Sequence, residues 1–578
     1  MSDTYLRPEN PAAAIAAEPR DPVTQSVAEP PERAGSGRHW SGWPVIAGPM
    51  AVAAVVGGYE IGGPSLWRDE AYTKDAIGRP FGQIFALLGH QDAVHGAYYL
   101  LMHVVVAVIG TSATALRLPS LCAMVIATGF TAAVARRAAA LARPPAAGSA
   151  GAGFPGTSRR LDVPALTGLL SGLLFATAPY MTYYAQMARS YAIETMFATI
   201  ATYLLLRAWP DGRWRWWLAY AAAVALTGLF NIFGLLIVAA HGVTLLLASA
   251  RGADSAGRRI GRIPLRWLAA AVAAAVVLSP LPAVAGHQQQ QIAWLARPHY
   301  RAIERLLTTT AGSRELVLPL ALLALGGVAA AWLADGWRPL NPAVIALPWL
   351  AVPPFLLIAT SFVKPVYYVR YVEFCLPALA IVAGAGLTGL IRLAARTPLG
   401  RLRVAGLSSA GPVRAGPVWA WLPAALVVAL LAALLAGPQQ AIRQTAARPD
   451  DLRRASAIVA AQEQPGDVVF YIPLTMHVLG TGYPAPFLRL RDIARGRSAI
   501  ASATLAGTEI TSRAELKSRF TDVRRVWVVT GASNYKFPVP ATRVDKEKMA
   551  LIAGAGLRII GRWQAGEVKL TLYGPSGP

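Results

Sequence analysis

The sequence is poor in cysteine and in the residue patterns that bind metals or nucleotides. Its 578 residues include two cysteines, Cys122 and Cys375, and each lies inside an apolar run. We interpret both as small core residues, and we do not expect a disulfide between them. The sequence has no Cys or His spacing typical of a metal site and no glycine-rich phosphate fingerprint. It therefore gives no support for a metal-binding or nucleotide-binding class.

Acidic residues are also scarce. The chain has 30 Asp and Glu against 54 Lys and Arg, which gives a formal net charge of +24. Such a balance is typical of nucleic-acid-binding proteins, but here the basic residues fall in short clusters between apolar runs. This distribution is the positive-inside pattern of membrane proteins. We therefore expect contact with membrane lipid and not with nucleic acid.

Long apolar runs are what the sequence has in abundance. Hydrophobic residues make up 55% of the chain, and the mean hydropathy is +0.43. Runs of about 20 residues match the thickness of a bilayer, so we predict a mainly α, polytopic membrane protein with about eleven transmembrane helices. The predicted spans are residues 43–58, 113–135, 163–184, 192–206, 216–230, 233–248, 267–284, 316–334, 342–361, 372–390 and 418–436.

The basic clusters predict the orientation of these spans. They place the loops at residues 136–160, 207–215, 251–266, 338 and 392–414 in the cytoplasm. The N-terminus is then cytoplasmic, and the C-terminus lies outside the plasma membrane. The run Ala97–Ile109 is short for a span, and the alternation holds only if it skims the outer face without crossing.

Composition predicts three domains. Residues 1–41 are rich in Pro, Ala, Glu and Arg, and we interpret them as a disordered cytoplasmic tail. Residues 42–437 form the transmembrane domain. Residues 438–578 have a soluble composition and form a small extracytoplasmic α/β domain. Its predicted elements are a helix at Ala455–Gln462 and strands at Asp467–Ile472, Val526–Thr530 and Val568–Tyr573.

An adjacent carboxylate pair, Asp69 and Glu70, follows the first span. Ionisable groups near the hydrocarbon are costly and usually functional. Two neighbouring carboxylates offer a general base, or an acceptor of a hydrogen bond from a sugar hydroxyl. The alternative is a solvated loop, or an N-cap for the helix that Ala71–Leu88 predicts.

Cations also lie in predicted outer loops, where the positive-inside rule requires none. Three of them are singled out as candidates: Arg189, Lys364 and Arg370. Before residue 440 the chain has two lysines, Lys74 and Lys364, and both fall on the predicted outer side. Cations on the face that bears a carboxylate pair indicate an anion site, most simply one for a phosphate. The alternative is that each one snorkels to lipid headgroups.

The order of these motifs resembles the GT-C membrane glycosyltransferases. The resemblance covers about residues 43–400 and is nearest to bacterial family 39-like relatives of the protein O-mannosyltransferases and the aminoarabinose transferase of lipid A. Its motifs are Asp69-Glu70, His95-Gly96-Ala97-Tyr98-Tyr99, Leu116-Arg117-Leu118-Pro119-Ser120, Tyr184-Ala185-Gln186, Ala188-Arg189-Ser190-Tyr191 and Arg370-Tyr371.

Two positions depart from the family pattern. Many relatives have two prolines where this chain has Gly96-Ala97. Many also have Glu where Met187 stands, so a second acidic group is missing and the case for a divalent metal is weaker.

The resemblance implies a GT-C fold, a sugar donor carried on a polyprenyl phosphate, an active site at the outer membrane face and inversion at the anomeric carbon. It implies Asp69 as the catalytic base, with Glu70 beside it, and it requires no cofactor. Arg189, Lys364 and Arg370 would then bind the donor phosphate. The acceptor is an envelope glycan, lipid or protein, and the sugar stays open between mannose, arabinose and other pentoses or hexoses.

Aromatic, amide and imidazole side chains in the outer loops are candidates for binding substrate. They are His95, Tyr98, Tyr99, Gln186, Gln291, Trp294, Tyr367 and Tyr368. The aromatic ones would stack on sugar rings, or would instead belong to the interfacial aromatic belt.

Two other classes compete with an enzyme. A transporter or flippase of envelope precursors is disfavoured, since the halves show no internal repeat and few predicted spans carry a central charge. A non-catalytic subunit of envelope assembly, which would bind through the C-terminal domain, stays open.

Overall fold

The computed structural model describes residues 42–142, 162–250, 262–292, 294–335, 339–394, 422–532 and 541–575. The predicted tail, residues 1–41, lies outside the described residues. So do most of the predicted cytoplasmic loops around residues 143–160, 251–261, 338 and 395–414.

The described chain is mainly helical, which confirms the predicted fold class. Up to residue 250 its helices are α1 (Pro44–Gly58), α2 (Arg68–Ile77), α3 (Phe81–His90), α4 (Gly96–Ile109), α5 (Ala113–Leu141), α6 (Val163–Thr177), α7 (Pro179–Ala185), α8 (Tyr191–Asp211), α9 (Trp214–Phe230) and α10 (Leu236–Ser249). From there to residue 443 they are α11 (Arg262–Leu278), α12 (Pro280–Gly286), α13 (Arg301–Ala311), α14 (Arg314–Asp335), α15 (Pro342–Val363), α16 (Leu376–Ala394) and α17 (Leu422–Arg443).

Each predicted span overlaps at least one of these helices, and the spans at residues 163–184 and 267–284 each overlap two. Apolar runs become helices in lipid because only a helix satisfies its backbone polar groups within one segment. Polar caps start several of them: the side chain of Ser112 accepts from the Ala115 amide, and that of Asn341 accepts from the Val344 amide.

Several helices are long and apolar enough to cross a membrane, so the chain is a multi-pass membrane protein. Among the described residues five helices meet this condition. They are Ala113–Leu141, Ile232–Ser249, Arg314–Leu333, Pro342–Val363 and Val369–Ala394. The pairs α6–α7 and α11–α12 bend by 62° and 49° where a proline starts the second helix, and counting each as one span gives seven. The total of about eleven spans stays a prediction.

The helix predicted over Ala71–Leu88 is wrong, since two helices occupy this stretch. The first ends at Ile77, and the second begins at Phe81 after Pro80. Proline disfavours helical geometry at the residue before it, so the chain turns here. The turn separates the helix that carries the carboxylate pair from the apolar helix that follows it.

The C-terminal region, meaning the described residues between 444 and 575, is an α/β unit. It contains α18 (Leu452–Gln462), α19 (Leu479–Gly482), α20 (Arg513–Arg519), α21 (Arg543–Gly554), β1 (Val468–Tyr471), β2 (Val526–Gly531), β3 (Arg558–Ala565) and β4 (Val568–Gly574).

Its sheet has the order β1-β2-β4-β3. Strands β1 and β2 are parallel, with Val469 opposite Trp527, and the other two pairs are antiparallel. The three predicted strands correspond to β1, β2 and β4, whereas β3 was not predicted. One apolar cluster of this region includes Ala71 of α2, so the region packs directly on the helix that follows the first span.

Candidate active site around Asp69

The carboxylate pair lies in the first turn of α2, where the helix dipole favours negative charge. Successive helical residues point about 100° apart, so the two side chains face different neighbours. Glu70 turns toward α5, and Asp69 turns toward the 3₁₀ turn Val369–Cys375 that leads into α16. One local geometry therefore gives the two acids different environments.

Glu70 is completely buried and fully bonded. Its carboxylate receives two hydrogen bonds from Arg117, from Nε at 2.8 Å and from Nη2 at 2.7 Å, and one from the Ala188 amide at 2.9 Å. Burial opposes ionisation, but Arg117 and the Ala188 amide hold the pKa of Glu70 below its ordinary value. This environment favours a structural role, and it explains why the two motifs that contain Glu70 and Arg117 occur together.

Asp69 is partly exposed and pairs with Arg370. Nη1 of Arg370 lies 2.8 Å from Oδ2 of Asp69, and the Asp69 side chain is 15% exposed. The guanidinium stacks over Tyr368, with 4.8 Å to the ring centroid, and lies 5.9 Å from the rings of Tyr191 and Tyr371. Its Nε is buried and has no hydrogen-bond partner among the described residues. Arg370 therefore keeps a free donor beside an accessible carboxylate.

A second cation, Arg189, approaches from the loop between α7 and α8. Its Nη2 lies 2.7 Å from Nε2 of His95, and its Nε is buried without a partner in the described part of the chain. Burial, followed by the nearby charges of Arg189 and Arg370, lowers the pKa of His95 well below its ordinary 6.5. His95 is therefore neutral near pH 7 and can accept the hydrogen bond from Arg189.

Asp92 links two of the predicted substrate-binding residues, Tyr99 and Gln291. Its Oδ2 accepts from the Tyr99 hydroxyl at 2.6 Å. With the Gln291 amide oriented to satisfy both groups, the amide nitrogen donates to Oδ1 of Asp92 at 2.9 Å and the oxygen accepts from the Asp92 amide at 2.9 Å. Asp92 was not among the predicted residues, although an acid just before an apolar helix was a visible signal.

Two other predicted residues, Lys364 and Gln186, bind partners other than Asp69. Lys364 donates to Gln289 and, among the described residues, makes no ion pair with Asp69. Gln186 donates to the carbonyls of Gly57 at 3.0 Å and Tyr59 at 2.8 Å, so it fastens the end of α1.

The remaining aromatic candidates separate into two groups. Trp294 meets Tyr368 edge to face, with 5.4 Å between ring centroids, so this pair walls the site beside Arg370. Tyr367 packs into an apolar cluster of the membrane region, and Tyr98 is fully buried. Neither of their hydroxyls has a hydrogen-bond partner among the described residues.

A second acidic pair, Glu194 and Glu373, lies buried near the site. Glu194 accepts a hydrogen bond from Asn231 at 2.7 Å, whereas neither carboxylate oxygen of Glu373 has a hydrogen-bond partner among the described residues. Neither acid was among the predicted site residues, although an ionisable group at the start of a predicted span is a visible signal of function. Within the described ranges no cluster of three or more His, Cys, Asp or Glu side chains suits a metal ion.

Comparison with known proteins agrees with this architecture. Residues 158–282 match a family model described as dolichyl-phosphate-mannose-protein mannosyltransferase. No curated protein sequence matches the chain at a significant level.

The similarity to solved structures extends over more of the chain than the family model does. ArnT from Cupriavidus metallidurans bound to undecaprenyl phosphate is similar with a TM-score of 0.52 and 16% identity, covering 92% of this chain and 98% of that chain. The apo state of the same protein gives a TM-score of 0.51 with the same identity and coverage. The oligosaccharyltransferase of Archaeoglobus fulgidus gives 0.46 and 10% identity, covering 84% of this chain and 69% of that chain. The resemblance stated from the sequence motifs is thus confirmed, and the chain has the fold of the GT-C membrane glycosyltransferases.

Proposed function

We propose that this protein is an inverting glycosyltransferase that uses a polyprenyl-phosphate-linked sugar at the outer face of the plasma membrane. Residues 42–437 would form its catalytic domain, and residues 438–578 its extracytoplasmic domain. The observation that carries the proposal is the accessible Asp69 carboxylate 2.8 Å from Arg370. Arg189, hydrogen-bonded to His95, is close enough to interact electrostatically with the same carboxylate.

The proposed reaction needs one base and one stabilised leaving group. Asp69 takes the proton from an acceptor hydroxyl as the acceptor oxygen bonds to the anomeric carbon of the donor. The bond from that carbon to the phosphate oxygen breaks, and its electron pair stays on the polyprenyl phosphate. Attack opposite the leaving group inverts the anomeric configuration. The phosphate leaves as a stable anion, so the reaction requires neither a general acid nor a cofactor.

Arg370 and Arg189 would bind the donor phosphate, because each has a buried Nε with no hydrogen-bond partner in the described part of the chain. Charge-assisted hydrogen bonds of this kind strengthen as negative charge grows on the departing oxygen. When Arg370 turns toward the phosphate, it gives up part of its bond to Asp69 and frees that carboxylate for the acceptor. Tyr368 and Trp294 would form a wall for the sugar ring.

Two findings support a lipid-linked donor. The fold is shared with ArnT, a protein solved with undecaprenyl phosphate, and part of the chain matches a family model described by a dolichyl-phosphate-mannose enzyme. The second finding slightly favours mannose, while arabinose and other sugars stay open. The acceptor would be an envelope glycan, lipid or protein.

The test is a transfer assay on the purified protein in nanodiscs, with radiolabelled polyprenyl-phosphate mannose and arabinose and an envelope extract as acceptor. We expect one donor to be consumed, and we expect Asp69→Asn to lower the rate by about 100-fold to 10,000-fold, the usual effect of losing a general base. Asp75→Asn is the matched control, because Asp75 lies on the same helix and pairs with Arg79. Near-normal turnover in Asp69→Asn would remove Asp69 from the mechanism, and an inactive wild type would favour the assembly-subunit alternative.

A further inference from the structure

Arg68, the residue immediately before Asp69, is bound by two acids of the C-terminal region. Its Nε lies 2.8 Å from Oδ2 of Asp450, and its Nη2 lies 2.8 Å from Oδ1 of Asp450 and 3.0 Å from Oε2 of Glu567. The Arg68 backbone amide also donates to Oδ2 of Asp450 at 3.1 Å. These three residues, here called the Arg68 clamp, thus join the start of α2 to residues 382 and 499 positions later in the chain.

The Arg68 clamp is buried. The side chains of Arg68, Asp450 and Glu567 are 8%, 0% and 5% exposed. Ion pairs at the surface contribute little to stability. A buried bidentate Arg–carboxylate pair, in contrast, fixes the orientation of both side chains. Removing one partner leaves a buried charge without compensation. The position of Arg68 is therefore tightly defined.

The two acids are themselves held by the sheet. Glu567 follows Gly566 in the turn between β3 and β4, its amide donates to the Pro449 carbonyl at 2.7 Å, and its carbonyl accepts from Ala532 at 2.8 Å. Gly566 has φ +63, and a Cβ there would lie 2.4 Å from the Pro449 carbonyl oxygen. The turn therefore needs glycine, and it brings Asp450 and Glu567 to one point.

More contacts join the same face of α2 to the C-terminal region. Ala71 is fully buried in an apolar cluster of that region, and Lys74 donates from Nζ to the Gly482 carbonyl at 2.8 Å. On the opposite side, Glu70 binds Arg117 and the Thr73 hydroxyl donates to the Ala188 carbonyl at 3.2 Å. The helix that carries Asp69 is thus held between the membrane helices and the C-terminal region.

We propose that the C-terminal region is a positioning element of the active site, in which Asp450 and Glu567 hold Arg68 and so set the direction of the Asp69 carboxylate. This inference rests on the proposed role of Asp69 as base. Arg68, Asp450 and Glu567 are positioning residues, since none of them touches the reacting atoms. A displacement of about 1 Å in a catalytic group can cost about 100-fold in rate, so a loosened α2 lowers turnover even though every group at the reaction centre is present.

The test compares Asp450→Asn with Asp467→Asn in the full-length protein. Asp467 is the matched control, because it is also a buried aspartate of this region, and its partners Arg525, at 2.9 Å, and Trp527 both lie within the C-terminal region. We expect Asp450→Asn to lower kcat by about 10-fold to 100-fold with the KM for the donor unchanged. Asp467→Asn should keep kcat within about twofold of the wild type, as expected for a change remote from the reacting groups.

A double variant shows whether Asp450 acts through Arg68. If it does, Arg68→Lys combined with Asp450→Asn should be no slower than the slower single variant, because effects within one network are not additive. Should Asp450→Asn fail to fold, Glu567→Ala replaces it, since Arg68 then keeps its bonds to Asp450. That variant should lower kcat in the same direction by a smaller factor.

Amide hydrogen exchange of residues 68–77 gives a readout that does not depend on activity. Exchange should be faster in Asp450→Asn than in both the wild type and Asp467→Asn. Unchanged exchange, or an equal loss of kcat in the two variants, would overturn the positioning role. Failure of the proposed function is a separate result, since it would appear as an inactive wild type or an active Asp69→Asn.

Discussion

At the scale of single residues, the site places two arginines next to one accessible carboxylate. Nη1 of Arg370 donates to Asp69, and the Nε of Arg370 has no hydrogen-bond partner among the described residues. Arg189 donates to a neutral His95. Because a neutral imidazole carries no charge, the positive charge beside Asp69 comes from the two arginines. The site therefore contains N–H donors without partners in the described part of the chain, and an anion could bind to them.

The first residue-scale prediction concerns Arg370. If it binds the donor phosphate, Arg370→Gln should raise the donor KM and lower kcat together, for a loss of about 10-fold to 100-fold in kcat/KM, as expected for a hydrogen bond to a charged group. Initial rates against polyprenyl-phosphate-sugar concentration measure both constants. Lys364→Gln is the control, since Lys364 donates to Gln289 and makes no ion pair with Asp69 among the described residues, and it should have a smaller effect. Unaltered curves for both Arg370→Gln and Arg189→Gln would eliminate the proposed phosphate site.

At the scale of elements, the Glu70–Arg117 pair joins α2 to α5. Arg117 also donates to three carbonyls of the segment between α1 and α2, those of Ile61, Pro64 and Ser65. One guanidinium thus organises the whole connection that precedes the site. Because every one of these groups is buried, removal of either charge would leave its partner without compensation.

Glu70→Gln should therefore lower the free energy of unfolding at pH 7 by about 3–5 kcal/mol, the usual effect of breaking a buried ion pair. The pKa of Glu70 is lowered from 4.5 in the folded protein, so the stabilisation is complete above about pH 4.5 and is lost as the pH falls through the folded-state pKa. The difference between wild type and variant should shrink accordingly in acid. Denaturant unfolding in detergent measures it.

Glu60→Gln is the control for that measurement, because Glu60 is an exposed glutamate in the same connection. Its effect should stay within about 0.5 kcal/mol. Equal stability of Glu70→Gln and the wild type at pH 7 would contradict a structural role for the Glu70–Arg117 pair.

At the scale of the whole molecule, the site depends on parts that are far apart in the chain. The helix with Asp69 contacts α5, the α7–α8 loop, the 3₁₀ turn before α16 and the C-terminal region. If the predicted topology holds, every one of these contacts lies at the outer membrane face. The topology is therefore the prediction on which the location of the site depends.

Cysteine labelling tests it. In a background without Cys122 and Cys375, Leu488→Cys in the C-terminal region should react with an impermeant thiol reagent in intact cells, and Arg213→Cys between α8 and α9 should be protected. Both side chains are exposed, so accessibility differs only by the side of the membrane. Both cysteines should react after permeabilisation, and the reverse pattern in intact cells would invert the orientation and move the site to the cytoplasm.

The sequence by itself determined the helical membrane architecture and three of the four strands found in the described residues. Apolar runs of bilayer length become helices whatever their neighbours are, since lipid offers the backbone no other hydrogen-bond partners. The helix predicted over Ala71–Leu88 is divided in two, because Pro80 interrupts helical geometry between α2 and α3. Strand β3 was missed because its pattern is weak: most of its side chains are exposed, and it joins the sheet through β4.

Only the tertiary structure decided what each charged residue of the site contacts. Asp69 and Glu70 are neighbours in the chain, but their partners lie 301 and 47 residues away, at Arg370 and Arg117. Arg68 finds Asp450 at a separation of 382 residues. Composition and periodicity carry no information about such long-range pairs, because the packing of the helices and the C-terminal region determines which side chains meet. That packing leaves the Asp69 carboxylate accessible and buries the Glu70 carboxylate.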